Sequence, residues 1–217
     1  MTVGDNPSLK QLVYENLRER IIHGELKPGA WLREADLSKE MNISRAPIRE
    51  ALSMLERDRF TIVLPRRGAI VAEVTKDDIR YVWEMRALLE PYAAKVSVPH
   101  IPEEKLLETR ELLEQVQKDY SNKDLYLKSD LETHRLFSDY LTNQYLKTSV
   151  DNITAHSLRL RWGAEYNSSE VNAKMIEKIN AEHVKILDAL IERDADQTFT
   201  LVGKHIESAR RRLMASV

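Results

Sequence analysis

The chain contains no cysteine, and only six of its 217 residues are glycine. Without cysteine there is neither a disulfide scaffold nor a thiolate metal site, so a metal ion would need histidine, aspartate or glutamate ligands. Scarce glycine indicates few tight turns and favours a mostly helical fold. No apolar run approaches the roughly 20 residues that span a bilayer, and no signal-peptide pattern opens the chain. We therefore expect a cytoplasmic protein with no membrane partner.

A strong net charge is likewise absent, because 33 basic residues oppose 35 acidic ones. This balance conceals a local excess, since residues 42–67 contain six arginines and three acidic residues. The same stretch holds two short β-branched runs, 61–64 and 69–72, which flank Pro65-Arg-Arg-Gly68 and predict a β-hairpin. Positive charge is therefore concentrated around a predicted turn.

Ahead of the hairpin, apolar residues recur at helical spacing and predict three helices. The first starts near Leu9, the second covers residues 33–41, and the third follows Ser44, a residue suited to an N-cap. Pro47 falls in the first turn of the third helix, where proline is tolerated. Three helices and a hairpin predict a winged helix-turn-helix domain in residues 1–73.

The remainder of the chain has the pattern of helices alone. Residues 73–78 are the predicted linker, and residues 75–217 are the predicted second domain. Apolar stripes predict helices at 77–97, 102–120, 123–141, 144–166, 172–193 and 196–215. Short polar connections favour an all-α antiparallel bundle of six or seven helices. The predicted fold class is therefore mostly α.

The start of the third helix carries long hydrogen-bond donors that suit DNA. Arg45 and Arg49 lie four residues apart there, and arginine can bind guanine O6 and N7 in the major groove in a bidentate manner. Further candidates for phosphate and groove contacts are Ser44, Arg66, Arg67 and Gly68. A run of charge more often forms a solvated face, but the ordered cap, proline and hairpin favour DNA binding here.

In the second domain, three predicted helices each turn an acidic residue or a histidine toward the core. Asp130 and His134 lie one turn apart on one apolar face, and His183 and His205 lie in the apolar stripes of the last two helices. One carboxylate and three imidazoles suit zinc, nickel or another divalent metal ion. A single buried histidine is more often a hydrogen-bonded core residue, but four such residues on three inner faces favour a metal site.

Arg86 shares the inner face of the first bundle helix with apolar residues, and a buried guanidinium needs an anion. Glu90, one turn further on, would give a structural salt bridge. The carboxylate of a bound effector would instead make Arg86 an effector-binding residue, and both partners remain open. Candidates for the lining of an effector cavity, or for plain core, are Trp83, Trp162 and Tyr166.

Three motifs mark the first domain: Gly24-Glu-Leu-Lys-Pro-Gly29, Asn42-Ile-Ser-Arg-Ala-Pro-Ile-Arg-Glu-Ala-Leu52 and Pro65-Arg-Arg-Gly68. Over residues 9–72 they resemble the DNA-binding domain of the GntR family of bacterial transcription regulators. The resemblance implies that Arg45 and Arg49 contact an operator. It also implies that the hairpin enters the minor groove around Gly68.

The chain departs from that family in two places. A glycine that usually follows the third helix is replaced within Asp58-Arg-Phe60, and an arginine that some members carry near the start of the second helix aligns with Ala35. The neighbouring Arg33 is then the candidate for the missing operator contact.

A second series of motifs marks the remaining residues: Glu84-Met-Arg-Ala-Leu-Leu-Glu90, Asp130-x-x-x-His134, Asn143, Glu182-His183, Arg193-Asp-Ala195 and His205. In this order they resemble the all-helical FCD effector domain of the FadR subfamily, over residues 75–215. The resemblance implies that the aspartate and three histidines named above hold a metal ion, since their gaps of 4, 49 and 22 residues follow the pattern of metal-binding members. It also implies that a small organic acid binds near the metal through its carboxylate.

These features predict a ligand-responsive bacterial transcription regulator, expected to be a repressor. A homodimer would bind near-palindromic double-stranded DNA, and a small carboxylate effector would control its affinity. One alternative is a regulator that senses the metal ion itself. Another is a metal-dependent enzyme, which is disfavoured by the absence of an evident general base and by the attached DNA-binding domain. An acyl-CoA-responsive regulator fits the complete metal set less well.

Overall fold

The structure is a computed structural model that describes residues 7–65, 67–161 and 172–215. Contacts divide the chain into two compact units. The first contains the residues through Thr75 together with residues 158–161, and the second contains the other residues from Lys76 onward. In these described ranges, no helix combines the length and the apolar character needed to cross a bilayer.

The first unit combines three helices with a small sheet. Its elements are α1 (Leu9–Ile22), β1 (Trp31–Leu32), α2 (Glu34–Met41), α3 (Arg45–Arg57), β2 (Thr61–Leu64) and β3 (Gly68–Val71). The sheet is antiparallel, in the order β1-β3-β2. The predicted winged helix-turn-helix is confirmed. The sequence pattern missed β1, because a two-residue strand is too short to show alternation.

The turn between α2 and α3 is set by Asn42, which ends α2 in the left-handed conformation with φ of 54°. Asparagine is one of the few side chains that adopt this conformation readily. Ser44 then occupies the N-cap position of α3 with an extended backbone, but its hydroxyl makes no capping hydrogen bond. Ile48 and Leu55 lie on the buried face of α3, and the N-terminal end of α3 stays exposed.

Gly68, at the start of β3, is buried and has no room for a side chain. Its φ is +101°, and an added Cβ would lie 2.3 Å from the carbonyl oxygen of Leu32 on β1. Close strand packing therefore accounts for this glycine. Arg59, within the segment that replaces the usual family glycine, adopts a φ of 62°. A non-glycine residue in that conformation costs about 1 kcal/mol.

The second unit is built from helices. Its elements are α4 (Lys76–Ser97), a 3-10 turn (Val98–His100), α5 (Glu103–Lys118), α6 (Lys123–Ser138), α7 (Gln144–Arg161), α8 (Ala173–Ile191) and α9 (Ala195–Ala215). The last residues of α7, 158–161, are grouped with the first unit. The described part of the chain therefore has six α-helices from Lys76 onward, the smaller of the two predicted numbers. The predicted helix 144–166 extends past Arg161 into residues outside the described ranges.

Within the described residues, the predicted helix bounds differ from the observed ones by up to three residues. The helix α4 starts at Lys76, inside the predicted linker 73–78, because Asp77 and Asp78 belong to its first turn, where acidic side chains favour a helix N-terminus. The helix α6 ends at Ser138 rather than at residue 141. The connection between the two predicted domains is therefore shorter than the sequence pattern indicates.

Asparagine caps fix the starts of two of the three helices that carry the candidate metal ligands, α6 and α8. The Asn122 side-chain oxygen accepts a hydrogen bond of 3.0 Å from the backbone N–H of Leu125 in α6. The Asn172 oxygen does the same for Met175 in α8, also at 3.0 Å. A cap of this kind contributes about 1 kcal/mol and determines where the helical phase begins.

The helices α4 and α9 pack against each other. Pro91 lies inside α4, and a Cβ added to Gly203 of α9 would lie 3.8 Å from Pro91 Cγ, an ordinary van der Waals distance. Gly203 therefore has room for a methyl group.

We expect Gly68→Ala to lower the free energy of unfolding of the first unit by at least about 2 kcal/mol, because the new Cβ would strain φ and collide with Leu32. The matched control is Gly203→Ala, which should raise stability by about 0.5–1 kcal/mol because glycine weakens a helix interior. Urea denaturation of the full chain, followed by circular dichroism, measures both. Equal stability of the two variants would contradict the assigned packing of β1 against β3.

Candidate functional site

Four polar side chains that could hold a metal ion meet in the core of the second unit, and we refer to this candidate site as the metal centre. Asp130 and His134 lie one turn apart on the buried face of α6, His183 lies on α8, and His205 lies on α9. In that order they are 2%, 7%, 1% and 4% exposed. The fold therefore brings together all four residues that the sequence selected as metal ligands.

The Nε2 atoms of the three imidazoles converge. Nε2 of His205 lies 3.3 Å from Nε2 of His134 and 3.4 Å from Nε2 of His183. Nitrogens that bind one tetrahedral ion at about 2.0–2.1 Å are about 3.3 Å apart. Asp130 Oδ1 lies 3.7 Å from Nε2 of His183. The spacing fits three nitrogen ligands around a single ion, with the carboxylate beside them.

Two carboxylates orient two of the rings. Nδ1 of His205 lies 2.8 Å from Glu182 Oε2, and Nδ1 of His134 lies 3.1 Å from Glu90 Oε2. An ionised carboxylate can only accept, so each Nδ1 carries the hydrogen and each Nε2 presents a lone pair. Two facing acceptors at 3.3 Å repel each other unless a cation lies between them. The hydrogen bonding therefore prepares these rings for a metal ion.

The electrostatics agree with this assignment. Burial lowers the pKa of His205 to about 4, although Glu182 opposes the shift, so the ring is neutral at pH 7 as a ligand must be. Burial alone would raise the pKa of Glu90, but the charge of Arg86 and the hydrogen bond from His134 hold that pKa well below its ordinary value. Burial also opposes ionisation of Glu182, but the contact with His205 outweighs it and lowers the pKa.

The donor set matches a divalent transition metal. Three imidazole nitrogens and one carboxylate oxygen suit zinc or nickel, and the absence of cysteine removes softer alternatives. When bound, such an ion supplies positive charge and coordination positions for a water or ligand oxygen.

Arg86 is enclosed next to the metal centre. Its Nε and Nη2 donate to the two oxygens of Glu90 at 2.5 and 3.2 Å, and its Nη1 donates to Ser157 Oγ at 2.7 Å. The guanidinium also lies 5.2 Å from the ring centroid of Trp83, which is fully buried. The salt bridge considered from the sequence is therefore present. Two other candidate lining residues, Trp162 and Tyr166, lie outside the described residues.

Sequence reasoning missed the roles of Glu90 and Glu182 at the metal centre. Glu90 was considered only as a partner of Arg86, yet the same carboxylate also contacts His134. Glu182 precedes the candidate ligand His183 in sequence but contacts a different histidine, His205, on the next helix. In the sequence, Glu90 lies one helical turn after Arg86 and Glu182 lies next to His183. Neither position indicates that the side chain contacts a histidine on another helix.

The candidate DNA-contacting residues cluster at the N-terminal end of α3. Ser44, Arg45 and Arg49 are exposed there, and the opposite face of α3, including Ala51 and Leu52, is buried. This geometry leaves the side chains of one face available to a major groove while the other face holds the unit together.

Glu34 on α2, which the sequence did not single out, binds Arg49. Its two oxygens accept hydrogen bonds from Arg49 Nε at 2.9 Å and Nη2 at 2.7 Å. The hydrogen bond from Arg49 lowers the pKa of Glu34. The Arg49 side chain remains 66% exposed, so this contact orients the guanidinium without burying it.

The other candidate DNA contacts have mixed positions. Arg33 is exposed immediately before α2, and Arg67 is exposed in the hairpin turn. Gly68 is buried in the sheet, and Arg66 lies outside the described residues.

Two family descriptions match the chain. Residues 9–71 match "Bacterial regulatory proteins, gntR family", and residues 81–208 match "FCD domain". Among similar proteins, the HTH-type transcriptional repressor RspR of Escherichia coli is 26% identical over 206 residues, which cover 93% of this chain and 88% of that protein.

Solved structures share the fold. Escherichia coli McbR/YncC aligns with a TM-score of 0.79 and 23% identity, over 96% of this chain and 98% of that one. The Zn²⁺-bound FCD domain of TM0439 aligns with a TM-score of 0.54 and 19% identity, over 66% of this chain and 96% of that domain.

We expect Glu182→Ala to weaken Zn²⁺ binding about 10- to 100-fold, because His205 would lose the acceptor that fixes its tautomer and orientation. Competition between the full chain and a chelating dye measures this affinity. Glu177→Ala removes an exposed carboxylate from the same helix and should leave affinity unchanged. Equal Zn²⁺ affinities for the two variants would show that Glu182 does not position the ligand.

Proposed function

Because the chain belongs to the GntR family of bacterial transcription regulators that carry an FCD domain, we propose that it is a repressor controlled by a small carboxylate metabolite. The metabolite binds at the metal centre and changes the affinity for an operator. The carrying observation is the convergence of three imidazole Nε2 atoms in a chain whose other unit is a winged helix-turn-helix. The chain is a transcription regulator rather than an enzyme, as its relatives are.

Zinc is the first candidate for the ion and nickel the second. The nitrogen spacing supports a tetrahedral ion, and the related FCD domain of TM0439 is described as Zn²⁺-bound. On this proposal Asp130, His134, His183 and His205 are the protein ligands, and the chain is a member of the FadR subfamily.

A carboxylate effector fits the charge of this region. A divalent ion held by neutral imidazoles and one carboxylate leaves net positive charge, which attracts an anionic oxygen. Arg86 is the second anchor on this proposal. Its bonds to Glu90 are charge-assisted and buried, whereas the Nη1 contact with the neutral Ser157 hydroxyl is the weaker one and the one that an effector carboxylate would replace.

The enclosure of Arg86 also favours a second candidate function. Glu90 already neutralises its guanidinium, so the site needs no organic anion for charge compensation. In this second candidate the metal ion itself is the signal, and operator affinity responds to zinc or nickel alone.

DNA recognition is assigned to the exposed end of α3. On this proposal Arg45 and Arg49 contact base edges, with Ser44, Arg33 and the hairpin residues Arg66, Arg67 and Gly68 close to the backbone or minor groove. The operator is double-stranded and near-palindromic, because a cytoplasmic homodimer presents two copies of α3 related by a two-fold axis. The similar protein RspR is named as a transcriptional repressor, which supports the sign of regulation.

We expect Arg49→Ala to reduce binding to a selected operator at least tenfold more than binding to random DNA, because a bidentate base contact contributes about 1–3 kcal/mol of discrimination. The probe is a duplex that the wild-type chain selects from a random-sequence library, used in fluorescence anisotropy. Arg57→Ala, which removes the same charge from the far end of α3, is the control. Equal loss of specificity in both variants would count against base recognition by Arg49.

We expect His183→Ala to lose bound metal, from about one ion per chain in the wild type to almost none, because the nitrogen ligands act together. Elemental analysis of the full chain measures the content, with the exposed His100→Ala as control. Unchanged metal content in His183→Ala would refute the ligand assignment.

A second experiment separates the two candidate functions. Operator binding of the wild type is titrated with Zn²⁺ alone and with Zn²⁺ plus a panel of small mono- and dicarboxylic acids. A full response to Zn²⁺ alone supports the metal-sensing candidate over the carboxylate one.

A further inference from the structure

A groove with a basic lining lies between α8 and α9 on the surface of the second unit, and we call it the basic groove. Its volume is about 660 Å³, and its cationic lining residues are Lys178 on α8 and Lys204, Arg211 and Arg212 on α9. Among the described lining residues, Glu207 is the only acidic one. Cations therefore outnumber anions four to one here, although the chain as a whole has a formal net charge of −2.

Part of this positive charge has no anionic partner. Glu207 accepts hydrogen bonds from Arg210 Nε at 2.8 Å and from Arg211 Nε at 3.0 Å, so two arginines already share its charge. Lys178 and Lys204 are exposed, and neither forms an ion pair with a residue in the described ranges. A run of charge is usually a solvated face. Like charges held in one groove, however, repel each other and attract an anion from solution.

Arg212 is the least exposed cation of the basic groove. Its side chain is 18% exposed, and its Nη1 donates to Ser208 Oγ at 2.7 Å and lies 3.6 Å from Glu182 Oε1. Its Nε has no hydrogen-bond partner within the described part of the chain. A guanidinium has five N–H donors, so Arg212 retains donors for a further acceptor.

We propose that the basic groove binds the phosphate group of a small molecule, either a phosphorylated metabolite or inorganic phosphate, and that the bound group acts on the metal centre. Phosphate carries about two negative charges at pH 7 and three acceptor oxygens. Lysine binds phosphate as a point charge and arginine as a planar fork, and the groove offers two of each. A singly charged carboxylate would bind more weakly, because salt screens single charges in an open groove.

A continuous series of hydrogen bonds joins the basic groove to the metal centre, and we call it the relay. Arg212 Nη1 donates to Ser208 Oγ at 2.7 Å, and the Ser208 hydroxyl donates to Glu182 Oε1 at 2.9 Å. The other oxygen of Glu182, Oε2, accepts from Nδ1 of His205 at 2.8 Å. A phosphate on Arg212 would therefore lie three hydrogen bonds from a candidate metal ligand.

The relay fixes the direction of the effect. The positive charge of Arg212 attracts the carboxylate of Glu182 and weakens it as an acceptor. A phosphate that neutralises Arg212 makes Glu182 a stronger acceptor for Nδ1–H of His205, and a more strongly held imidazole is a better metal ligand. Phosphate and Zn²⁺ should therefore bind cooperatively, each raising the affinity for the other by the same factor. This step rests on the proposed metal centre, whereas the groove itself does not.

Calorimetric titration of the full chain with inorganic phosphate, at constant ionic strength, tests the groove. We expect Lys178→Ala/Lys204→Ala to weaken phosphate binding at least about tenfold, because two charged contacts are lost. The matched control is Lys118→Ala/Lys123→Ala, which removes the same charge from exposed positions at the end of α5 and the start of α6 and should bind as the wild type does. Equal affinities for the two double variants, or a wild-type Kd above about 10 mM, would overturn the site.

Two further measurements identify the ligand. Tighter binding of glucose 6-phosphate than of inorganic phosphate would indicate a phosphorylated metabolite, and equal or weaker binding would indicate the free anion. Operator binding of the same double variants in phosphate-free buffer tests the alternative of a DNA contact. If Lys178→Ala/Lys204→Ala weakens operator binding and the control does not, the groove contacts the DNA backbone and the proposal is wrong.

Zn²⁺ affinity, measured with a chelating dye, tests the link to the metal centre. We expect saturating phosphate to raise the Zn²⁺ affinity of the wild type about fivefold and to have no such effect on Lys178→Ala/Lys204→Ala. Because phosphate also binds free Zn²⁺, the change is taken relative to that variant. Ser208→Ala keeps the cations of the groove but interrupts the relay, so it should bind phosphate without the gain in Zn²⁺ affinity. No gain in the wild type, or an equal gain in all three proteins, would overturn the link.

The two proposals fail separately. If the wild type binds no Zn²⁺ but binds phosphate in the groove, the metal centre is wrong and the groove stands. If Zn²⁺ controls operator binding but the two double variants bind phosphate equally, the groove is wrong and the regulatory function stands.

Discussion

The carboxylate of Glu90 is the group on which the polar core of the second unit depends. It accepts two hydrogen bonds from Arg86 and contacts Nδ1 of His134. Glu90 and Arg86 are 1% and 2% exposed, so each charge would be strongly destabilising without the other. Removing one partner of a buried pair costs about 3–5 kcal/mol. The same carboxylate therefore compensates a buried cation and orients a ring of the metal centre.

Glu182 has the corresponding role at the other side of the centre. Besides His205, it accepts a hydrogen bond of 2.9 Å from Ser208 and lies 3.6 Å from Arg212. These contacts connect α8 to α9, whereas Glu90 connects α4 to α6. Two of the three imidazoles, those of His134 and His205, are thus each held by a carboxylate from a neighbouring helix. Metal binding at such a site would be coupled to the packing of these helices, because His134 and His205 are each held by a carboxylate from another helix.

The features that could be predicted from the sequence are those that depend on the periodicity of apolar residues and on short spacings along the chain. Helical periodicity located α4 to α9, and the four-residue step from Asp130 to His134 together with two apolar stripes selected the four side chains that the fold brings together. It did not predict which side chains meet across elements. Glu90 reaches His134 over 44 positions, and Glu34 reaches Arg49 over 15. Such contacts depend on the rotation of one helix against another. The burial of Gly68 could not be predicted from the sequence for a similar reason. It results from the close approach of β1, and a two-residue strand is too short to give a recognisable sequence pattern.

In both units a carboxylate orients a nitrogen-bearing side chain. The burial of each pair determines how easily another group can replace one of its partners. In the Glu34–Arg49 pair the arginine is largely exposed to solvent. A DNA group could therefore replace Glu34 as the partner of Arg49 at little desolvation cost. The Arg86–Glu90 pair is excluded from water and stays joined unless a group of comparable charge replaces one partner.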